Sequence, residues 1–181
     1  MKHHTSHATS RRAFLGTAAA SAIAAPLSAS AQTPAPGSED MTYEVTRTEE
    51  EWRALLSDEE YRIMRAQGTE PRFSSRYVDE DSAGHFQCKG CDLTIYDSEW
   101  KTPRLIGWVF FYHARRDSVL LDIDEWPAVM AGDEDMAESQ FVTEAHCRRC
   151  GSHLGHMIQV QGDLLHCING ASLTFVAGDA S

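Results

Sequence analysis

From residue 84 onward, apolar and polar positions alternate in short runs separated by glycine, aspartate and asparagine, a period of two that predicts strands. The runs are "GHFQC", "LTIYD", "GWVFFYHA", "SVLLDID", "QFVTEAHC", "HMIQVQG", "LLHCI" and "SLTFVA", many of them β-branched or aromatic. They read as antiparallel strands and hairpins. Upstream the period lengthens. In "TRTEEEWRALLSDEEYRIMRAQGTE", Thr48 with Glu51 and Ser57 with Glu60 each fit a capping box, with Trp52, Leu55 and Leu56 on one helical face. Two short helices are predicted, the second closing at Gly68, with Trp52, Tyr61 and Met64 as core contacts. The acidic stretch "DEWPAVMAGDEDMAES" interrupts the strands as a surface loop. The expected architecture is mainly β (α+β): antiparallel sheets preceded by two short helices.

The first residues follow a different pattern. Lys2, Arg11 and Arg12 precede the apolar run "AFLGTAAASAIAAPL", and "ASA" then offers small residues for cleavage, the layout of a secretory signal over 1–31. The paired arginines of "SRRAFLG" resemble the twin-arginine export signal, which places the mature protein in the periplasm or another exported compartment. The run stops at Pro26, short of the roughly 20 apolar residues of a membrane span. Cleavage after Ala31 leaves a lead-in over 32–47, one domain over 48–176 and a short tail over 177–181. The formal charge is −11, and loss of the leader, which carries basic residues and no acid, makes it more negative. Such a surface repels nucleic acid and anionic lipid, so neither is expected as a partner.

The five cysteines change the picture most. Cys88 with Cys91 and Cys147 with Cys150 form two C-x-x-C pairs, each able to grip one side of a tetrahedral metal, and glycines at 90 and 151 suit the tight turns required. Disulfides are the competing reading in an exported chain. Against them, neither pair has the βαβ surroundings of a redox motif, and the twin-arginine route carries folded proteins, so zinc can be loaded before export. A third ligand set uses His153 and His156 of "CRRCGSHLGH" in place of the first pair. Structural zinc on four thiolates is the favoured reading, and it leaves the metal no open position.

Cys167 is then the odd cysteine. Its sequence neighbour Asn169 and the two histidines are the partners a nucleophilic thiol would need, if the fold brings them together. Taken alone, a strand cysteine is as readily a small buried hydrophobe.

Together, "GTEPRFSS", "FQCKGC", "GW" followed by aromatics, "TEAHCRRCGSHLGH" and "CINGASLTF" resemble, in order and spacing, the B-type peptide methionine sulfoxide reductases over about residues 48 to 176. The resemblance implies a β-rich fold, zinc on Cys88, Cys91, Cys147 and Cys150, and Cys167 as the nucleophile that reduces methionine-(R)-sulfoxide in proteins. It further implies His153 and His156 for proton delivery, Asn169 to orient the site, and Trp108 to pack on the substrate methyl. The chain departs from the family at several positions. Ile106 stands where many relatives carry a resolving cysteine, which implies an external thiol reductant, thioredoxin-like or glutaredoxin-like. Leu165 replaces the usual arginine, His166 the usual aromatic, and Val109 and Phe110 a Pro-Ser pair. These departures keep a second reading in view, a noncatalytic zinc-stabilised binding protein of the same fold.

Overall fold

Two capping boxes start the chain's regular structure. In the computed structural model, which describes residues 41–104, 106–125 and 141–178, helix α1 (Glu49–Leu55) begins where the Thr48 hydroxyl accepts from Glu51 N–H and the Glu51 carboxylate accepts from Thr48 N–H. Helix α2 (Asp58–Arg65) repeats the device with Ser57 and Glu60. Each cap satisfies amides that the helix itself leaves orphaned, worth about 1 kcal/mol. Trp52, Leu56, Ile63 and Met64 face the core. Leu55, expected on that face, is 49% exposed, because α1 ends there and only every third or fourth residue of so short a helix meets the core. The second helix also closes one residue earlier than expected. Gln67 takes the left-handed conformation at φ 52°, while Gly68 N–H returns to the carbonyls of Arg62 and Ile63.

Among the described residues the strands are β1 (Gly84–Cys88), β2 (Thr94–Asp97), β3 (Val109–Phe111), β4 (Val119–Glu125), β5 (Phe141–Cys147), β6 (His153–Val160), β7 (Asp163–Ile168) and β8 (Leu173–Ala177). They form a three-stranded sheet, β2-β1-β8, and a five-stranded sheet, β3-β7-β6-β5-β4, and every pairing within them is antiparallel. The alternation in the sequence thus corresponds to strands whose two faces differ.

The main core joins both helices to both sheets through Trp52, Ile63, Phe86, Tyr96, Phe111 and Ile168. Tyr96 stacks on Phe111 at 4.2 Å between ring centroids, and Phe86 meets Phe111 edge-on at 5.2 Å. A second apolar cluster gathers Ile106, Trp108, Phe110, Ile158, Val160, Leu165 and Cys167. The register explains the division. Phe110, Cys167 and His156 are cross-strand partners, as are Leu165 and Ile158, whereas their neighbours Phe111 and Ile168 belong to the main core. Cys167 therefore lies on the face of the large sheet turned away from the main core.

Residues 43–47, read from sequence as lead-in, are tied to the domain: Val45 N–H donates to Arg149 O at 3.0 Å and Arg47 to Gly90 O at 2.7 Å. Asp124 and Glu125 of the expected acidic loop belong to β4, while its residues 126–139, the leader over 1–31, the lead-in up to residue 40 and the tail from 179 lie outside the described residues. Among the described residues, no helix is long and apolar enough to cross a membrane.

Candidate functional site

The two C-x-x-C pairs adopt the same local geometry from different sequences. In the first, Asp92 N–H donates to Cys88 O and Cys88 N–H to Leu93 O, each at 2.8 Å. In the second, Gly151 N–H donates to Cys147 O and Cys147 N–H to Ser152 O, again at 2.8 Å. The residue after each second cysteine, Asp92 (φ 59°) or Gly151 (φ 68°), is left-handed. Gly90, expected to supply that freedom, has no such torsion. It serves instead by close approach, since a Cβ there would lie 3.0 Å from Ser152 Oγ and 3.1 Å from the Trp52 ring.

The turns bring the four sulfurs within 4.8 Å of one another, with Cys88 and Cys150 Sγ at 3.7 Å and Cys91 and Cys147 Sγ at 3.5 Å. A tetrahedral ion about 2.3 Å from each sulfur requires sulfurs about 3.8 Å apart, so the donor set fits such an ion, and all five cysteines are unbridged. Neither histidine of "GSHLGH" joins this group, which removes the Cys2His2 alternative.

Arginines surround the tetrad. Arg65 Nη1 reaches Cys150 O (3.4 Å) and Ser152 Oγ (3.3 Å), and Arg149 Nη1 donates to Cys91 O (3.1 Å). Arg47 and Arg65 lie over the Trp52 ring at 4.8 and 4.6 Å. Their charges would oppose the net negative charge that four thiolates around a divalent ion would carry.

Cys167 belongs to a different part of the molecule. One cross-strand row runs over the large sheet through Asp122, Glu144, His156, Cys167 and Phe110. Directly opposed residues bring their Cβ atoms to about 5 Å, so His156 neighbours the Cys167 thiol. His153, three residues before His156, would point to the other face of a regular strand. A register shift between Ala145 and His146 inserts one extra residue into β6 and returns His153 to the face of His156, with ring centroids 5.1 Å apart. Gly155 makes this possible: a Cβ there would fall 2.1 Å from Cys167 O.

The Cys167 thiol is 2% exposed, and burial pushes its pKa well up. The Glu70 charge adds to that rise and the Arg72 charge opposes it. Glu70 N–H donates to Asn169 Oδ1 (2.9 Å), while its carboxylate accepts from Gly170 N–H (2.8 Å) and Ala171 N–H (2.9 Å). Asn169 Nδ2 in turn donates to Leu154 O at 3.1 Å. This clasp fixes the turn after the strand that carries Cys167. Trp108 Nε1 donates to Glu70 O (3.1 Å) and the Arg72 guanidinium lies 4.7 Å over its ring, which holds the indole still.

His166 faces the other side, as strand alternation requires, with Nδ1 3.2 Å from the Tyr96 hydroxyl. Burial, with a smaller contribution from His113, lowers its pKa to about 4, so it is neutral at pH 7 and supplies no charge to Cys167. Ile106 and Leu165 are both buried in the Cys167 cluster.

Sequence reasoning gave no role to Glu70, Arg72, Gln67 or Glu144. "GTEPRFSS" and "TEAHC" contain three of them, but an acid or arginine in a short motif does not by itself reveal its distant partner.

Fold and site define a two-sheet β protein in which four cysteines placed to hold a metal ion are separate from a fifth buried cysteine that faces a histidine across the ladder. A family model described as the SelR domain matches residues 56–177. The peptide methionine sulfoxide reductase MsrB of Pseudomonas putida is 34% identical over 140 residues, covering 76% of this chain and 98% of that protein. The MsrB of Thiobacillus denitrificans is 36% identical over 138 residues, covering 75% and 97%. A crystal structure of a Mis18 "Yippee-like" domain overlaps with a TM-score of 0.43 at 16% identity over 54% of this chain and 99% of that one, too slight a likeness to carry an argument. The chain belongs to the SelR-domain family, that of the MsrB peptide methionine sulfoxide reductases.

Proposed function

We propose that this protein reduces methionine-(R)-sulfoxide residues in polypeptides to methionine, with Cys167 as the nucleophile. The observation that carries this reading is the isolation of Cys167 from the four-cysteine cluster and its place opposite His156 in the ladder. The sulfur of Cys167 attacks the sulfoxide sulfur while the sulfoxide oxygen gains a proton, because an oxide dianion is too poor a leaving group. In the net step, a thiol and a sulfoxide become a sulfenic acid and a thioether. Cys167 sulfur is oxidised by two electrons, the substrate sulfur is reduced by two, and the oxygen passes from one to the other.

The buried, neutral thiol fits this balance. The proton that Cys167 loses is the one the oxygen gains, and His153 and His156 are the carriers. Asn169 positions the turn through Glu70, and the immobilised Trp108 ring offers the sulfoxide methyl an apolar wall. With Cys167 only 2% exposed, substrate entry requires its apolar cover to part.

Two external thiols complete the cycle. The first condenses with the sulfenic acid to a mixed disulfide and water, and the second releases Cys167 as the two leave as a disulfide. Ile106 offers no sulfur for an internal alternative, so the reductant is a thioredoxin-like or glutaredoxin-like protein. Cys88, Cys91, Cys147 and Cys150 would hold one Zn2+, which when bound stabilises the fold and, being fully coordinated, takes no part in the redox step. The layout of residues 1–31 supports twin-arginine export, which would place the activity in the periplasm or another exported compartment.

Purified protein with dithiothreitol is expected to reduce the R but not the S epimer of a methionine sulfoxide peptide, and Cys167→Ser to abolish turnover. Absence of turnover by the wild-type protein would overturn the reading.

A further inference from the structure

Glu144, the buried partner of the proton carrier His153, has had no role so far. Their side chains are 3% and 1% exposed, and Glu144 Oε1 lies 2.6 Å from His153 Nδ1. The second carboxylate oxygen is also engaged: Gln67 Nε2 donates to Oε2 at 3.1 Å. Gln67 is the left-handed residue that closes α2, so a conformation uncommon outside glycine is spent where its side chain reaches Glu144. Among the described residues, His153 Nε2 is buried and has no hydrogen-bond partner.

A carboxylate shut away from water is costly unless its oxygens are satisfied, and here each has a side-chain nitrogen at hydrogen-bond distance. The consequence for His153 is chemical. An imidazole whose Nδ1 faces a carboxylate keeps its proton on Nδ1 when neutral, and its other nitrogen is then the one free to accept or deliver a proton. The β6 bulge sets that ring 5.1 Å from the ring of His156, which opposes Cys167 in the ladder. Glu144 and His156 are themselves cross-strand partners, so carboxylate, both imidazoles and thiol share one face.

We propose that Glu144 is a positioning residue that holds the His153 proton on Nδ1 and so makes Nε2 the nitrogen that exchanges a proton beside Cys167. This rests on the reductase reading. Gln67 orients the carboxylate from its far side. Substitution by glutamine reverses the pattern: with Gln67 still donating, the new side chain turns its oxygen to Gln67 and its amide N–H2 to His153 Nδ1, which drives the proton to Nε2.

Two measurements decide it. The 15N chemical shifts of the neutral His153 ring, assigned by their loss in His153→Gln, are expected to show Nδ1 protonated in the wild type and Nε2 protonated in Glu144→Gln. In steady state with dithiothreitol and a sulfoxide peptide, Glu144→Gln is expected to lower kcat by about 10- to 100-fold with KM within about twofold. Glu144→Asp, which keeps the acceptor, is expected to retain the wild-type tautomer and recover part of kcat. It stands in if the glutamine variant does not fold. A wild-type ring with Nδ1 unprotonated, or a folded Glu144→Gln with kcat within about twofold of wild type, overturns the proposal. Wild-type protein without turnover overturns the reductase reading instead, and the tautomer still shows whether Glu144 sets the ring.

Discussion

Four buried polar side chains lie on or beside the strand of Cys167 and its neighbours, and each is balanced differently. Glu70 has its carboxylate on two backbone amides, yet desolvation still raises its pKa. Glu144 is held by a histidine and a glutamine, and Asn169 by backbone alone. His166 has the Tyr96 hydroxyl and is kept neutral by burial. The last case gives a pH prediction. A histidine whose folded pKa is depressed to about 4 from its usual value near 6.5 contributes stability above that usual value and loses it as pH falls towards about 4. Between about pH 7.5 and pH 5 the loss from this residue is about 2 kcal/mol, and His166→Phe is expected to remove it. Urea midpoints of both proteins at the two pH values check this, and equal pH dependence would contradict it. Residue identities near the site were legible in the sequence as motif members. Their partners were not, because Glu70 to Asn169 and Glu144 to Gln67 are contacts between distant segments.

At the level of elements, local rules and tertiary rules act on different features. Both capping boxes form where Thr48 and Ser57 predict them, since a cap involves only four consecutive residues. The strands also fall on the alternating runs, except that β6 begins at His153, three residues before its run, and ends at Val160. The sites of left-handed backbone shift by one or two residues, from Gly68 to Gln67 and from Gly90 to Asp92, because a hydrogen-bonded turn can impose φ > 0 on a residue that does not favour it. The bulge in β6 is the element on which the site depends. Gly155→Ala would press a Cβ on the backbone of Cys167 and force β6 and β7 apart, at a cost of about 3 kcal/mol or more. The variant is expected to lower the urea midpoint and to lose turnover beyond its loss of folded protein. An unchanged midpoint would show that the bulge tolerates a side chain.

For the whole molecule, the four-cysteine cluster is a staple between sheets. Cys88 ends β1 of the three-stranded sheet, and Cys147 ends β5 of the five-stranded one. An ion on all four thiolates would therefore tie together two sheets that share no strand pairing. Removal of bound metal by a chelator is expected to lower Tm by roughly 10 °C or more, with Cys88→Ser behaving likewise and Cys167→Ser keeping its metal. Differential scanning calorimetry with metal analysis reads this, and a chelated protein with unchanged Tm would contradict it. The sequence by itself determined the two helices and their caps, the strands, the grouping of four cysteines and the one left over, since periodicity, caps and C-x-x-C spacing all act within a few residues. Only the tertiary structure decided that His153 and His156 share a face with Cys167, that Leu55 points to solvent, and that Glu70 and Glu144 are buried beside the site. Leu55 is exposed because α1 ends there, and Glu70 is buried by its clasp on Asn169 and the turn after β7; the placement of both histidines and Glu144 depends on register and on one inserted residue in β6, where a shift of a single position reverses which face every side chain meets.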